Sequence, residues 1–141
     1  MVEGVTARHG RIDGVVHGAG VIEDKLLADK RSDSWSRVVD TKVVGMLLLQ
    51  KFVDPSRLKF FSVFSSVAGR YGNSGQSDYA TANELMNRLC VALQARWEQR
   101  VAVSALCWGP WGPTKFGAGM VTADTEAKFA EQGVRLVSAA L

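Results

Sequence analysis

The sequence predicts an α/β fold, a partial Rossmann-like doubly wound parallel sheet in which strands and helices alternate along the whole chain. Three observations carry that prediction. Apolar runs at Ile12–His17, Leu58–Ser65 and Val101–Leu106 have strand length and are rich in Val and Phe. Two longer stretches, about Ser34–Val53 and Tyr79–Glu98, follow the first two runs, and the former carries its apolar residues at clear helical spacing. Glycines punctuate the loops after those two runs, as Gly18-Ala19-Gly20 and as Gly69, Gly72 and Gly75.

Taken in order, Ile12–His17 reads as a buried strand that stops at His17 and gives way to the tight Gly18–Gly20 loop. Trp35, Val38, Val39, Val43, Met46, Leu47 and Leu49 trace a helix that carries Lys42 and that Asp54-Pro55 ends. Leu58–Ser65 reads as a second buried strand with Ser66 at its end. Val67–Asp78 reads as a loop, and a helix from Tyr79 sets Tyr79 and Asn83 one turn apart on a shared face. The third strand, Val101–Leu106, leads into a rigid loop, Cys107–Pro113, and a last helix is expected over about Thr122–Gln132. Parallel strands joined by right-handed crossovers follow from this alternation, and such sheets bind ligands beyond the carboxyl ends of their strands. His17, Ser66 and Cys107 mark those ends.

Composition narrows the classes. A chain of 141 residues with 47% apolar content suits a single domain over 1–141 with its own core. Lys and Arg are scattered and the net charge is only +3, so nucleic acid is not an expected partner. The longest apolar run, Val43–Leu49, is too short for a membrane span, and Met1-Val2-Glu3-Gly4 does not open a secretory signal. A cytoplasmic location is therefore expected. Cys90 and Cys107 lack metal or redox spacing and read as buried and reduced, and no metal site is expected. His9 reads as a surface group near a helix end, and His17 as a packing or cofactor-loop residue.

Ser66, Tyr79 thirteen residues later, Asn83 four further on and Lys42 upstream on its own helix form a chemical set. If they converge, they can deliver a proton to a carbonyl while a nicotinamide delivers hydride, which no side chain can do. The Tyr79 phenol ordinarily titrates near pH 10, and an ammonium at Lys42 would lower that value. Ser66 would hold the carbonyl oxygen as charge develops on it, and Asn83 would orient Lys42 or a relay water. Singly, each has a plainer reading: a turn cap, a core ring, a solvated amide, a snorkelling lysine. The combined order and spacing outweigh those readings. A serine hydrolase does not fit, because Phe64-Ser65-Ser66-Val67-Ala68 is no GxSxG elbow.

These residues resemble the ketoreductase domain of modular polyketide and fatty-acid synthases, a branch of the short-chain dehydrogenase/reductase superfamily. Val15-Val16-His17-Gly18-Ala19-Gly20 resembles the loop after that family's fourth strand, Phe64–Gly69 its serine segment, and Tyr79-Ala80-Thr81-Ala82-Asn83 its Tyr-x-x-x-Asn. Most short-chain reductases carry lysine four residues after the tyrosine, whereas the synthase branch exchanges it with asparagine, as Lys42 and Asn83 do here.

The resemblance implies NADPH as cofactor and a β-ketoacyl thioester on an acyl carrier protein as substrate. It implies cofactor contacts at Gly18, Ala19, Gly20, Lys42, Tyr79, Gly109, Pro110 and Trp111. It also implies a lid over 114–132 in which Phe116 and Met120 shape the acyl pocket. Ile22-Glu23-Asp24 stands where one stereochemical class has Leu-Asp-Asp, and Tyr71 replaces the tryptophan of the opposite class. That makes Asp24 a substrate-side residue and leans toward the D-hydroxy product.

One part of the family pattern is missing. No GxGxxG occurs, and no βαβ unit precedes Ile12 to hold the adenosine end. The chain reads as the second half of such a domain, with the edge of the first strand left unpaired. It is expected to self-associate, to pair with a complementary N-terminal half, or to be part of a longer protein. A second reading stays open, that of a non-catalytic half-domain serving as an interaction or scaffolding piece.

Overall fold

Alternation of side chains decides how the strands sit. In the computed structural model, which describes residues 2–98, 100–112, 121, 123–131 and 133–138, three strands form one sheet in chain order. They are β1 (Gly14–His17), β2 (Phe60–Ser66) and β3 (Ala102–Trp108). β1 runs parallel to β2, with Gly14 opposite Phe60 and His17 opposite Val63. Phe61, Val63 and Ser65 of β2 point into the core, as do Val15 and His17 of β1.

Among the described residues the α-helices are α1 (Val2–His9), α2 (Ser32–Phe52), α3 (Ala68–Tyr71) and α4 (Ser77–Arg96), and, further along the chain, α5 (Ala123–Glu131). The buried residues of α2 are Ser34, Val38, Lys42 and Met46, spaced four apart, so one line of side chains faces inward and Lys42 lies on it. In α4 the buried residues Asp78, Ala82, Asn83, Met86, Asn87, Cys90 and Leu93 form the matching face. Met46, Phe61, Val63, Met86, Leu93 and Trp97 belong to one core cluster, with Phe61 and Trp97 edge to face at 5.6 Å.

Several expectations shift. The sequence reading placed a strand from Ile12, whereas β1 starts at Gly14; β3 runs on through Cys107 to Trp108. The expected loop at 67–78 contains the short α3, and α4 begins at Ser77, so Asp78 is a buried helix residue. α1 extends the helix end expected at His9 back to Val2, with Glu3 in its first turn and Arg8 and His9 in its last, matching the helix dipole. Cys90 is buried but Cys107 is only partly so, donating its Sγ hydrogen to Asn87 Oδ1 at 3.6 Å.

From the sequence the strands read simply as buried. The second face of the sheet is open instead: Val16 is 56% exposed, and Phe60, Phe64 and Leu106 are exposed on the same side. Among the described residues, no helix is long and apolar enough to cross a membrane.

Residues 1–107 and 108–141 form two compact units. Within the second, Trp108 and Trp111 meet edge to face at 5.0 Å, Trp111 bridges to Val137, and the Gly112 amide donates to the Val137 carbonyl at 3.0 Å.

One glycine sets the approach of α3 to α4. A Cβ on Gly69 would lie 2.9 Å from the Glu84 backbone nitrogen and 3.0 Å from Asn83 Cβ, so the two backbones are in direct contact there. Gly69→Ala is therefore expected to destabilise by about 1–3 kcal/mol, as overpacking against unyielding backbone does. Urea unfolding of the variant checks this, and an unchanged midpoint would refute the close approach.

Candidate active site

The carboxyl end of β2 and the facing lines of α2 and α4 create the site. Lys42, only 3% exposed, reaches from α2 to donate its Nζ hydrogen to the Phe64 carbonyl at 3.0 Å, and Nζ lies over the Tyr79 ring at 5.3 Å from its centre. His17 donates from Nε2 to the Lys42 backbone carbonyl at 2.8 Å, which fixes the strand end against this turn of α2. Burial lowers the His17 pKa, so the ring is a neutral packing group.

Gly20 is the glycine of the β1 loop that meets the lysine. A Cβ there would lie 3.2 Å from Lys42 Cε and 3.4 Å from Nζ, so the loop backbone runs flush with the amine.

Ser66 ends β2 and its Oγ accepts the Ala68 amide hydrogen at 3.1 Å, a local turn bond just ahead of α3. The neighbouring Ser65 donates to the Asn83 carbonyl at 3.3 Å and ties the strand end to α4. Asn83 is wholly buried; its Nδ2 donates to the Tyr79 carbonyl at 2.7 Å, while Oδ1 has no hydrogen-bond partner among the described residues.

Burial governs the titration of both key groups. It lowers the Lys42 amine to about 8. The expectation that Lys42 lowers the Tyr79 phenol is not met: burial raises the phenol, the Ser66 and Asn83 side chains pull it down, and the charge of Asp24 pushes it further up. The amine lies close, over the ring, and bonds the Phe64 carbonyl.

The loop after β1 is anchored rather than freely solvated. Asp24 Oδ2 accepts from Gln76 Nε2 at 2.8 Å, the Lys25 amide donates to the Gly75 carbonyl at 2.9 Å, and Arg37 grips both Glu23 oxygens at 2.7 and 2.8 Å. Arg37 holds the Glu23 carboxyl down at about 2. Tyr71 is 88% exposed. Gln76, Lys30 and Asp78, which bind this loop to the start of α4, were not singled out from sequence. An acidic residue in a first turn directly before Tyr79 was the available signal.

Gly109, Pro110 and Trp111 belong to the second compact unit, and Phe116 and Met120 lie outside the described residues.

Comparison with known proteins fits this geometry. The model of the KR domain matches residues 1–113. The chain belongs to the KR domain family. It is similar to a polyunsaturated fatty acid synthase of Thraustochytrium sp., 41% identical over 128 residues, which cover 91% of this chain and 4% of that protein. The ketoreductase domain from the bacillaene assembly line superposes with a TM-score of 0.82 at 29% identity, covering 96% of this chain and 33% of that one. The ketoreductase from the first module of phoslactomycin biosynthesis in Streptomyces sp. HK803 gives a TM-score of 0.79 at 30% identity, over 97% of this chain and 30% of that one. This chain thus spans about a third of the solved ketoreductases it matches, and its α/β fold is that of part of a KR domain.

The lowered Lys42 has a consequence for stability. The amine titrates at about 8 when folded and at 10.5 in its ordinary state, so between these values the unfolded chain binds the extra proton and folding gains as pH rises. Wild type is expected to gain on Lys42→Met by up to about 1.4 kcal/mol per pH unit from about pH 8 to 10, below the range where the raised Tyr79 acts in the opposite sense. Urea unfolding across that range checks it; a flat difference would show an unshifted lysine.

Proposed function

We propose that this chain is the catalytic part of an NADPH-dependent reductase that turns a β-ketoacyl thioester into a β-hydroxyacyl thioester in polyketide or fatty-acid biosynthesis. The observation that carries the reading is the gathering of Lys42, Ser66, Tyr79 and Asn83 around the carboxyl end of one strand. Both compact units, 1–141 together, are read as one partial domain acting on a substrate carried by an acyl carrier protein, in the cytoplasm.

Lys42 and the Gly18–Gly20 loop would hold a reduced nicotinamide, which would supply hydride for the ketone. Ser66 holds the ketone oxygen, and Tyr79, kept protonated by burial, gives its phenolic proton to that oxygen as negative charge builds there. Lys42 uses one hydrogen on the Phe64 carbonyl, which leaves others to bond a ribose and to stabilise the phenolate left behind. The unpartnered Asn83 Oδ1 is an acceptor for a relay water. The flush backbone at Gly20, with Gly18 and Ala19 beside it, suits a close-lying nicotinamide ribose. Gly109, Pro110 and Trp111 are proposed as further cofactor contacts, Phe116 and Met120 as acyl-pocket residues, and Asp24 as the group that favours the D-hydroxy product.

A second reading, a non-catalytic half-domain with an interaction or scaffolding role, has its own support. The sheet leaves the apolar side chains of Val16, Phe60, Phe64 and Leu106 exposed.

Titrating NADPH into the purified chain by nicotinamide fluorescence, then following its absorbance with a β-ketoacyl thioester, separates the two. The reductase reading predicts saturable binding and turnover, with Tyr79→Phe still binding but at least about a hundredfold slower. Absence of binding, alone and with a complementary phosphate-binding half, would favour the scaffolding reading. Light scattering is expected to find the isolated chain self-associated through its open sheet face, or paired once that half is supplied. A stable, monodisperse monomer would count against both forms of pairing.

A further inference from the structure

Outside the reacting groups, the described residues contain an ion pair that is shut away from water. Lys30 Nζ meets Asp78 Oδ1 at 2.8 Å, with the two side chains 2% and 1% exposed, and the same ammonium donates to the Glu23 carbonyl at 2.8 Å. Asp78 Oδ1 also accepts the Tyr79 amide hydrogen at 2.8 Å. One carboxylate oxygen therefore holds both the far end of the 18–31 loop and the first turn of the helix that carries Tyr79.

The pair is poorly built for stability alone. Desolvating two charges costs more than their attraction returns unless the remaining lone pairs are satisfied, and here Asp78 Oδ2 and the adjacent Ser77 Oγ are buried with no hydrogen-bond partner among the described residues. What the pair does achieve is registration. With the Asp24–Gln76 and Lys25–Gly75 hydrogen bonds it fastens the loop to residues 75–78 along its length, and it leaves Asp24 near enough for its charge to act on the Tyr79 phenol.

We propose that Lys30 and Asp78 are positioning residues: their buried ion pair sets the Asp24 loop against the first turn of α4, and so fixes which face of a bound ketone is presented for reduction. The part of this that concerns the ketone rests on the reductase reading; the fastening of the loop does not.

Three variants of the full chain test it: Lys30→Met, Asp78→Asn, and the two combined. Each single change strands a buried charge or its partner, and Tm is expected to fall by roughly 10 °C. The double variant removes both charges and keeps an acceptor for the Tyr79 amide, so Tm is expected to return to near the wild-type value. Hydrogen exchange then separates packing from positioning. In the double variant the Lys25 amide is expected to exchange at least about tenfold faster while α2 and β2 keep their protection. Unchanged exchange in the loop, or acceleration only in step with the whole chain, would overturn the proposal.

With the complementary phosphate-binding half present and a β-ketoacyl thioester as probe, the double variant is expected to lose about tenfold in kcat at an unchanged KM for NADPH, and to give a mixed product configuration. Wild-type kcat with a single configuration would overturn it. A wild-type chain that reduces nothing would sink the reductase reading instead, and the exchange result would still decide whether Lys30 and Asp78 fasten the loop.

Discussion

A lysine amine buried among apolar side chains must find acceptors, and the central part of this structure is arranged around that requirement. Lys42 lies on the inward line of α2 with Val38 and Met46 one turn to either side, so the same helix face that fills the core also delivers a charge to it. The Phe64 carbonyl at the end of β2 accepts from it, His17 grips its backbone carbonyl, and Gly20 yields space beside it. Of these, the Phe64 carbonyl is the group that accepts from the amine itself. Burial lowers its pKa to about 8, because the surroundings solvate the charge less well than water does.

Much of this was legible in the sequence because it depends on period and order. The helical spacing of apolar residues from Trp35 to Leu49 and the apolar run Leu58–Ser65 are local patterns, and with the interval from Ser66 to Tyr79 they placed Lys42, Ser66 and Tyr79 at one edge of a sheet. Strand and helix ends moved by one or two residues, since Gly14 and Ser77 are set by pairing and packing with distant segments. The α3 turn escaped notice because Gly69 and Gly72 look like loop residues; only the contact of Gly69 with the backbone of α4 shows why a helical turn fits there. The direction of the Tyr79 shift escaped for a similar reason. Sequence supplies the charge of Lys42 but not its placement over the ring, nor the burial that outweighs it.

The sheet is asymmetric in what it has to work with. Its inner face meets Met46, Met86 and Trp97 and forms a continuous core, while the outer face pairs Ser62 with Ser104 at 2.8 Å between exposed Phe60, Phe64 and Leu106. A doubly wound sheet is stable when both faces are covered. The sequence could not reveal this imbalance, because an apolar strand reads the same whether its second face is covered by the same chain or by another.

The contact at Gly69 has a bearing on how the protein tolerates change. Where two segments meet through side chains, a substitution anywhere in the neighbourhood can be absorbed by new rotamers, and the spacing drifts. Where main chain rests on main chain there is nothing to rotate. The separation between the serine-bearing turn and the helix of Tyr79 and Asn83 is thereby decoupled from the identity of the residues packed around it, so the surrounding core and pocket are free to diverge while that one dimension stays fixed.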